Sequence, residues 1–226
     1  TSFKKYPIYY IMNDDSSVFK SQKHIQDIPI SEHKFPYESF IGGWYIPENI
    51  CDNIINHFNE QKEKKLTTIG NVDNYGKKII NQEIKDSEEL SVLPNNFDYP
   101  FKEYRTHLQD CLIKYIEKYR HINDLLEHFN ITKSYNIQFY KKGGGFKVDH
   151  CERNGSKGTL SRALVFMTYL NDVDDGGTEF IYQRMVSPAK KGLTMIWPTD
   201  WTHIHRGIVS ETKEKMIITG WYNFDE

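Results

Sequence analysis

The chain has 226 residues, enough for one domain with an appended lobe, and its 15 Tyr, 13 Phe and 4 Trp can fill a sizeable core. A formal net charge of −2 supplies no global field for nucleic acid or an anionic membrane, and no apolar run is long enough to span a bilayer. Cys51, Cys111 and Cys151 are an odd, widely spaced set, which argues against a disulfide framework and for a reducing compartment.

Residues 1–34 read as a largely irregular N-terminal extension, with a strand expected at Ile8–Met12. No apolar signal-peptide stretch opens the chain, so a cytoplasmic location is expected. The Asn-x-Ser/Thr triplets at Asn130 and Asn154 then read as chance. Phe35 to Trp44 reads as a short strand and turn, with Gly42-Gly43 as the bend. Pro47 suits the first position of a helix, and Ile50, Ile54 and Phe58 give that helix one apolar stripe. The charged run Glu60 to Lys65 should end it. Ile79 to Leu90 reads as loop with a possible strand. Tyr104, Leu108, Leu112, Tyr115 and Tyr119 repeat at three and four, predicting a second helix that packs on a sheet and ends near His121.

From Ser134 the apolar period changes to two. Tyr135–Tyr140, Arg162–Leu170, Thr178–Tyr182, Leu193–Trp197 and Met216–Phe224 are predicted strands, separated by glycine-rich turns. Many short strands at such spacing predict a barrel or sandwich. The expected architecture is α+β and mainly β. Helical support spans 35–130 and the rolled sheet spans 131–226, together one domain over 35–226.

The chemistry gathers in the second half. His150 and Glu152, two apart on an expected strand, share a face, and Asp149 and Cys151 then point away. A further His from a distant strand would complete the two-His, one-carboxylate triad of non-haem iron enzymes, which leaves positions open for a bidentate co-substrate and O2. His203 and His205 both sit on one expected strand face, so alternation does not choose between them. Lys215, on the following strand, can fix the far carboxylate of a 2-oxo dicarboxylate that chelates the metal. Alone, His150 and Glu152 could equally be a strand ion pair. Gly143-Gly144-Gly145 is followed by strand, not helix, so it reads as a flexible turn at the pocket rim and not as a phosphate cradle. His24, His33, His57, His107, His121 and His128 read as surface or packing residues.

The joint pattern is Tyr140-x-x-Gly with Phe146 and His150-x-Glu152, then Arg162, Tyr169-Leu-Asn171, Gly176-Gly-Thr-Glu-Phe180, and His205-x9-Lys215-x5-Trp221. It resembles the prolyl 4-hydroxylase-like 2-oxoglutarate/Fe(II) dioxygenases, most of all their compact phage and bacterial members. The resemblance is strong over about 135–224. It implies a double-stranded β-helix, or jelly-roll, core and Fe(II) held by His150, Glu152 and His205. The spacing to Lys215 favours His205 over His203. The resemblance further implies Lys215, Tyr140, Tyr169 and Trp221 around 2-oxoglutarate and Arg162 at the substrate. Ascorbate is implied as an accessory reductant. The implied reaction hydroxylates an unactivated C–H, with release of succinate and CO2. A prolyl side chain of a protein or peptide is the first substrate expected, and a small molecule is the alternative. A phage-encoded member would act in the host cytoplasm. No nucleic-acid or membrane partner is expected. The other readings are a non-oxidising cupin-like metal enzyme and a metal-free binding module on the same roll. Two departures stand out. The acid is Glu where Asp is usual, and the loop from Tyr140 to His150 is one residue longer than common.

Overall fold

A computed structural model describes residues 29–74 and 77–225. The strand expected at Ile8–Met12 lies outside those residues. The chain order is β1 (Ser31–Glu32), β2 (Gly42–Tyr45), α1 (Glu48–Glu63), β3 (Thr68–Ile69), β4 (Val72–Asn74), β5 (Lys77–Ile79) and β6 (Glu88–Val92). Then come α2 (Phe101–Lys118), α3 (His121–Leu125), β7 (Phe129–Asn130), β8 (Tyr135–Tyr140), β9 (Arg162–Tyr169) and β10 (Val173–Phe180). The chain closes with β11 (Met185–Ala189), β12 (Leu193–Pro198), β13 (His205–Gly207) and β14 (Lys215–Phe224).

The strands form a double-stranded β-helix. Its major sheet runs β1-β2-β12-β9-β14-β8-β6-β3, with β7 beside β14, and its minor sheet runs β11-β10-β13. All of the pairings are antiparallel. β2 and β6, from the helical half of the chain, enter the major sheet through β12 and β8.

Two apolar layers sandwich the major sheet, and strand alternation decides which side chains enter each. Ile137, Leu164, Phe166, Ile196, Met216 and Ile218 face the helices, where they meet Ile54 and Phe58 of α1 and Tyr104, Leu108, Leu112 and Tyr115 of α2. Val165, Met167, Tyr169, Met195, Trp197 and Ile217 face the roll interior, with Val173, Phe180 and Met185 of the minor sheet's side. The same parity carries Tyr140, Lys215 and Trp221 inward. A one-residue slip of β14 would turn Lys215 and Trp221 into the helix layer.

Three local expectations change. Gly42 and Gly43 lie inside β2 and make no bend. A Cβ on Gly42 would come within 2.5 Å of the Trp44 ring and 2.9 Å of Tyr115, so glycine there permits close approach and not a turn. Pro47 stands just before the first helical residue, Glu48. Asp174 to Gly177, read as a turn, lies inside β10, where the register shifts between Val173 and Thr178. β11 was not expected as a strand at all.

Candidate metal centre

His150 and Glu152 do not sit on a regular strand, contrary to expectation. They lie on an irregular segment that is pinned from both sides. His150 and His205 form an isolated antiparallel bridge, N–H to O at 3.0 and 2.9 Å. The N–H groups of Glu152 and Arg153 both donate to the Thr199 carbonyl just past β12, at 3.1 and 2.9 Å. Arg153 grips Asp200 through two hydrogen bonds, and Arg206 reaches Asp149 at 3.4 Å. Thus Asp149 points away from the site, as expected, and the Cys151 thiol turns to the Arg153 carbonyl.

The ligand atoms of His150, Glu152 and His205 all lie within 4.8 Å of one another. Glu152 Oε1 stands 3.6 Å from His150 Nε2 and 3.5 Å from His205 Nε2. Neighbouring donors of an octahedral ion with bonds of roughly 2.1 Å stand about 3 Å apart, so the triad is slightly open and needs only a small contraction. Each imidazole donates its Nδ1–H to a main-chain carbonyl at 2.9 Å, His150 to Val148 and His205 to His203. That fixes the tautomer and leaves each Nε2 lone pair facing the acid. Phe146 stacks on His150, with ring centroids 3.7 Å apart, and Trp197 packs edge-on to His205 at 5.2 Å.

The charge states suit a dication. Burial lowers the His150 pKa, and the neighbouring His205 adds to the shift. Burial on its own would raise the Glu152 carboxyl, but the two imidazoles outweigh it and hold it well below the usual carboxylate range. The site therefore offers a neutral His150 and an ionised Glu152 oxygen, with His205 Nε2 beside them. His203 is elsewhere: it ends a 3-10 turn, Trp201–His203, and its Nε2 bonds the Ser39 carbonyl at 3.0 Å. That turn is why strand alternation did not separate the two histidines.

All eight residues singled out above line one cavity of about 780 Å³. Lys215 pairs with Tyr140 across β14 and β8, and its ammonium lies 5.7 Å from the Tyr140 ring. Lys215 Nζ donates to the Ile208 carbonyl at 2.5 Å, and burial pulls its pKa down to about 8. The Tyr169 hydroxyl meets Thr178 Oγ1 at 2.7 Å and Ser187 Oγ at 3.0 Å, and burial raises its pKa to about 12. Tyr140 donates its hydroxyl to Gln138 Oε1 at 2.6 Å. Trp221 and Arg162 both contact Glu152. The glycine run 143–145 is tied down, since Gly143 N–H bonds Ser210 O and Gly144 N–H bonds Lys141 O, each at 2.8 Å.

Gln138, Thr178 and Ser187 were not singled out from sequence. Gln138 was within reach, because it lies two before Tyr140 on the same strand face. Ser187 was not, because its strand was not expected.

The profile of the 2OG-Fe(II) oxygenase superfamily matches residues 135–223. Those residues form a 2OG-Fe(II) oxygenase domain. The match spans β8 to β14 and takes in all eight site residues expected from the sequence. The oxygenase is therefore 2-oxoglutarate- and Fe(II)-dependent, and the two-His, one-Glu cluster has the donor chemistry such an ion requires. Its fold is that of the prolyl 4-hydroxylases. It superposes with a TM-score of 0.61 on the viral collagen prolyl hydroxylase of Paramecium Bursaria Chlorella virus-1 in its 2OG complex, at 15% identity over 83% of this chain and 97% of that one. A prolyl-4-hydroxylase of Pseudomonas putida gives 0.60, at 11% identity over 81% and 92% of the two chains. A Trichoplax adhaerens prolyl hydroxylase, bound to a hypoxia inducible factor oxygen degradation domain peptide fragment, gives 0.58, at 10% identity over 79% and 80%. Comparison with curated protein sequences returns no match. No described helix of the oxygenase is long and apolar enough to cross a membrane.

Proposed function

We propose that this oxygenase hydroxylates a prolyl side chain in a protein or peptide, with His150, Glu152 and His205 as the iron ligands. The observation that carries the site assignment is convergence: three ligand atoms within 4.8 Å open onto the same cavity as Lys215. The peptide reading is supported by the solved relatives, one described as a collagen prolyl hydroxylase and one bound to a peptide fragment. It is also supported by the cavity's reach, since the lining extends from the triad to Val72, Lys78 and Ile79 on β4 and β5.

Iron(II) with 2-oxoglutarate and O2 supplies the oxidation: one oxygen atom enters a substrate C–H as an alcohol, the other enters succinate, and CO2 leaves. The protein's residues bind and orient. Lys215 holds the distal carboxylate of 2-oxoglutarate as a point charge whose pairing gains from burial. Tyr169, fixed by Thr178 and Ser187, lines the same cavity as Lys215 and would help to hold the co-substrate there. Tyr140, fixed by Gln138, closes the wall above Lys215. Met167, Ile217 and Trp197 exclude water from the inner end. Phe146 covers the outer face of His150 and keeps its Nε2 directed inward.

The test is succinate release in the presence of Fe(II), 2-oxoglutarate and O2. Proline-containing peptides should stimulate it and gain one oxygen by mass. Stimulation by free amino acids alone, with no peptide product, would contradict the peptide assignment.

A further inference from the structure

Glu152 is one methylene longer than the usual aspartate, so its carboxylate has more ways to swing. Its two oxygens face opposite ways. Oε1 meets the two imidazoles at 3.6 and 3.5 Å. Oε2 accepts a hydrogen bond from Trp221 Nε1–H at 2.9 Å and one from Arg162 Nη1–H at 3.3 Å. The same Arg162 Nη1 donates to the Glu152 main-chain carbonyl at 2.6 Å, and the guanidinium lies over the indole, 3.5 Å from its centroid. Acid, indole and guanidinium thus close on one another. The parity of β14 delivers Trp221 and the start of β9 delivers Arg162.

We infer that Arg162 and Trp221 are positioning residues that pin Oε2 of Glu152, so that Oε1 alone is offered to the metal. The inference rests on the metal-centre reading above, and it gives both residues a role different from the substrate and co-substrate contacts that the sequence resemblance implies. Three features support it. The indole N–H is a single directed donor, so it selects one oxygen. The Arg162 charge offsets the negative charge left on Oε2 without competing for Oε1. The glutamate side chain lets one carboxylate span from the imidazoles on Oε1 to the indole and guanidinium on Oε2.

The test is Mn(II) affinity of the full chain, read from the electron paramagnetic resonance signal of free Mn(II), with circular dichroism as the folding control. Trp221→Phe keeps the ring and loses the N–H; it should weaken Mn(II) binding about tenfold, as loss of an outer partner of a metal ligand does. Glu152→Asp should also weaken it, about tenfold or more. In the double variant the Trp221→Phe cost should vanish, because the N–H acts through an oxygen that aspartate does not place there. Arg162→Gln should follow the same cycle, and it decides the matter if Trp221→Phe does not fold. The inference is overturned by a Trp221→Phe protein that binds as tightly as the parent, by tighter binding in Glu152→Asp, or by the full indole cost persisting in the double variant. If the parent takes up no Mn(II), the metal-centre reading fails first and this inference with it.

Discussion

His150 and His205 are bound to each other twice through the main chain and carry matching side-chain arrangements. Each turns its Nδ1 onto the carbonyl two residues before it, at 2.9 Å, and the two rings stand 4.4 Å apart. A single antiparallel bridge therefore sets the spacing of two nitrogen ligands that are far apart in sequence. His205→Ala should abolish both metal uptake and succinate formation. His203→Ala should keep both and lose about 1 kcal/mol of stability, the worth of its bond to Ser39 O. Metal titration with a thermal melt checks the pair; the reverse pattern would exchange the ligand assignment.

Lys215 is a buried cation beside Tyr140 in the roll interior. Replacing it by alanine should leave iron bound and raise the KM for 2-oxoglutarate about tenfold to a hundredfold, the range expected for a lost charge-assisted contact. Initial rates against 2-oxoglutarate concentration measure this directly. An unchanged KM would mean the carboxylate anchor lies elsewhere.

The pH dependence follows from the Lys215 pKa of about 8. The bound dicarboxylate favours the ammonium form, so affinity is full below that pKa. Above it, binding must first take up a proton, and KM should rise about tenfold per pH unit. Lys215→Arg, which stays charged, should flatten this alkaline limb while raising KM at neutral pH through its different shape. A KM for the parent that is level from about pH 7 to about pH 9.5 would rule out Lys215 as the titrating group.

Gly177 adopts φ of +112° at the β10 bulge, and a Cβ there would stand 2.2 Å from the Ser187 carbonyl oxygen. Gly177→Ala should therefore cost about 2 kcal/mol or more and lower Tm by about 5 °C or more. Thr178, next in the chain, supports the Tyr169 hydroxyl, so 2-oxoglutarate affinity should fall with it. Differential scanning calorimetry and the 2-oxoglutarate KM report the two effects separately.

The sequence was most legible where one face of a strand is buried on each side. Tyr135–Tyr140 has the expected bounds, and β9, β12 and β14 differ by one residue at an end, because alternation there separates helix-facing from roll-facing side chains. α1 and α2 were visible through their apolar stripes. Legibility failed where tertiary contacts override local pattern. Gly42 looked like a bend because its reason for being glycine, the close approach of the Trp44 and Tyr115 rings, shows only in the fold. His150 looked like a strand residue, although its segment is fixed by Thr199, His205 and the Arg153–Asp200 pair. The three proposed ligands were nameable from spacing and resemblance. The grip of Arg162 and Trp221 on Glu152 was not, since it depends on which way one carboxylate turns.

The central claim is that His150, Glu152 and His205 form an iron centre facing a 2-oxoglutarate pocket closed by Lys215. Anaerobic titration of the protein with Fe(II) and then 2-oxoglutarate addresses it most directly. One equivalent of iron should bind, and 2-oxoglutarate should then raise a weak visible charge-transfer band that is absent in His205→Ala and restored only at higher 2-oxoglutarate in Lys215→Ala. Iron uptake without that band at saturating 2-oxoglutarate, or no uptake at all, would contradict the account.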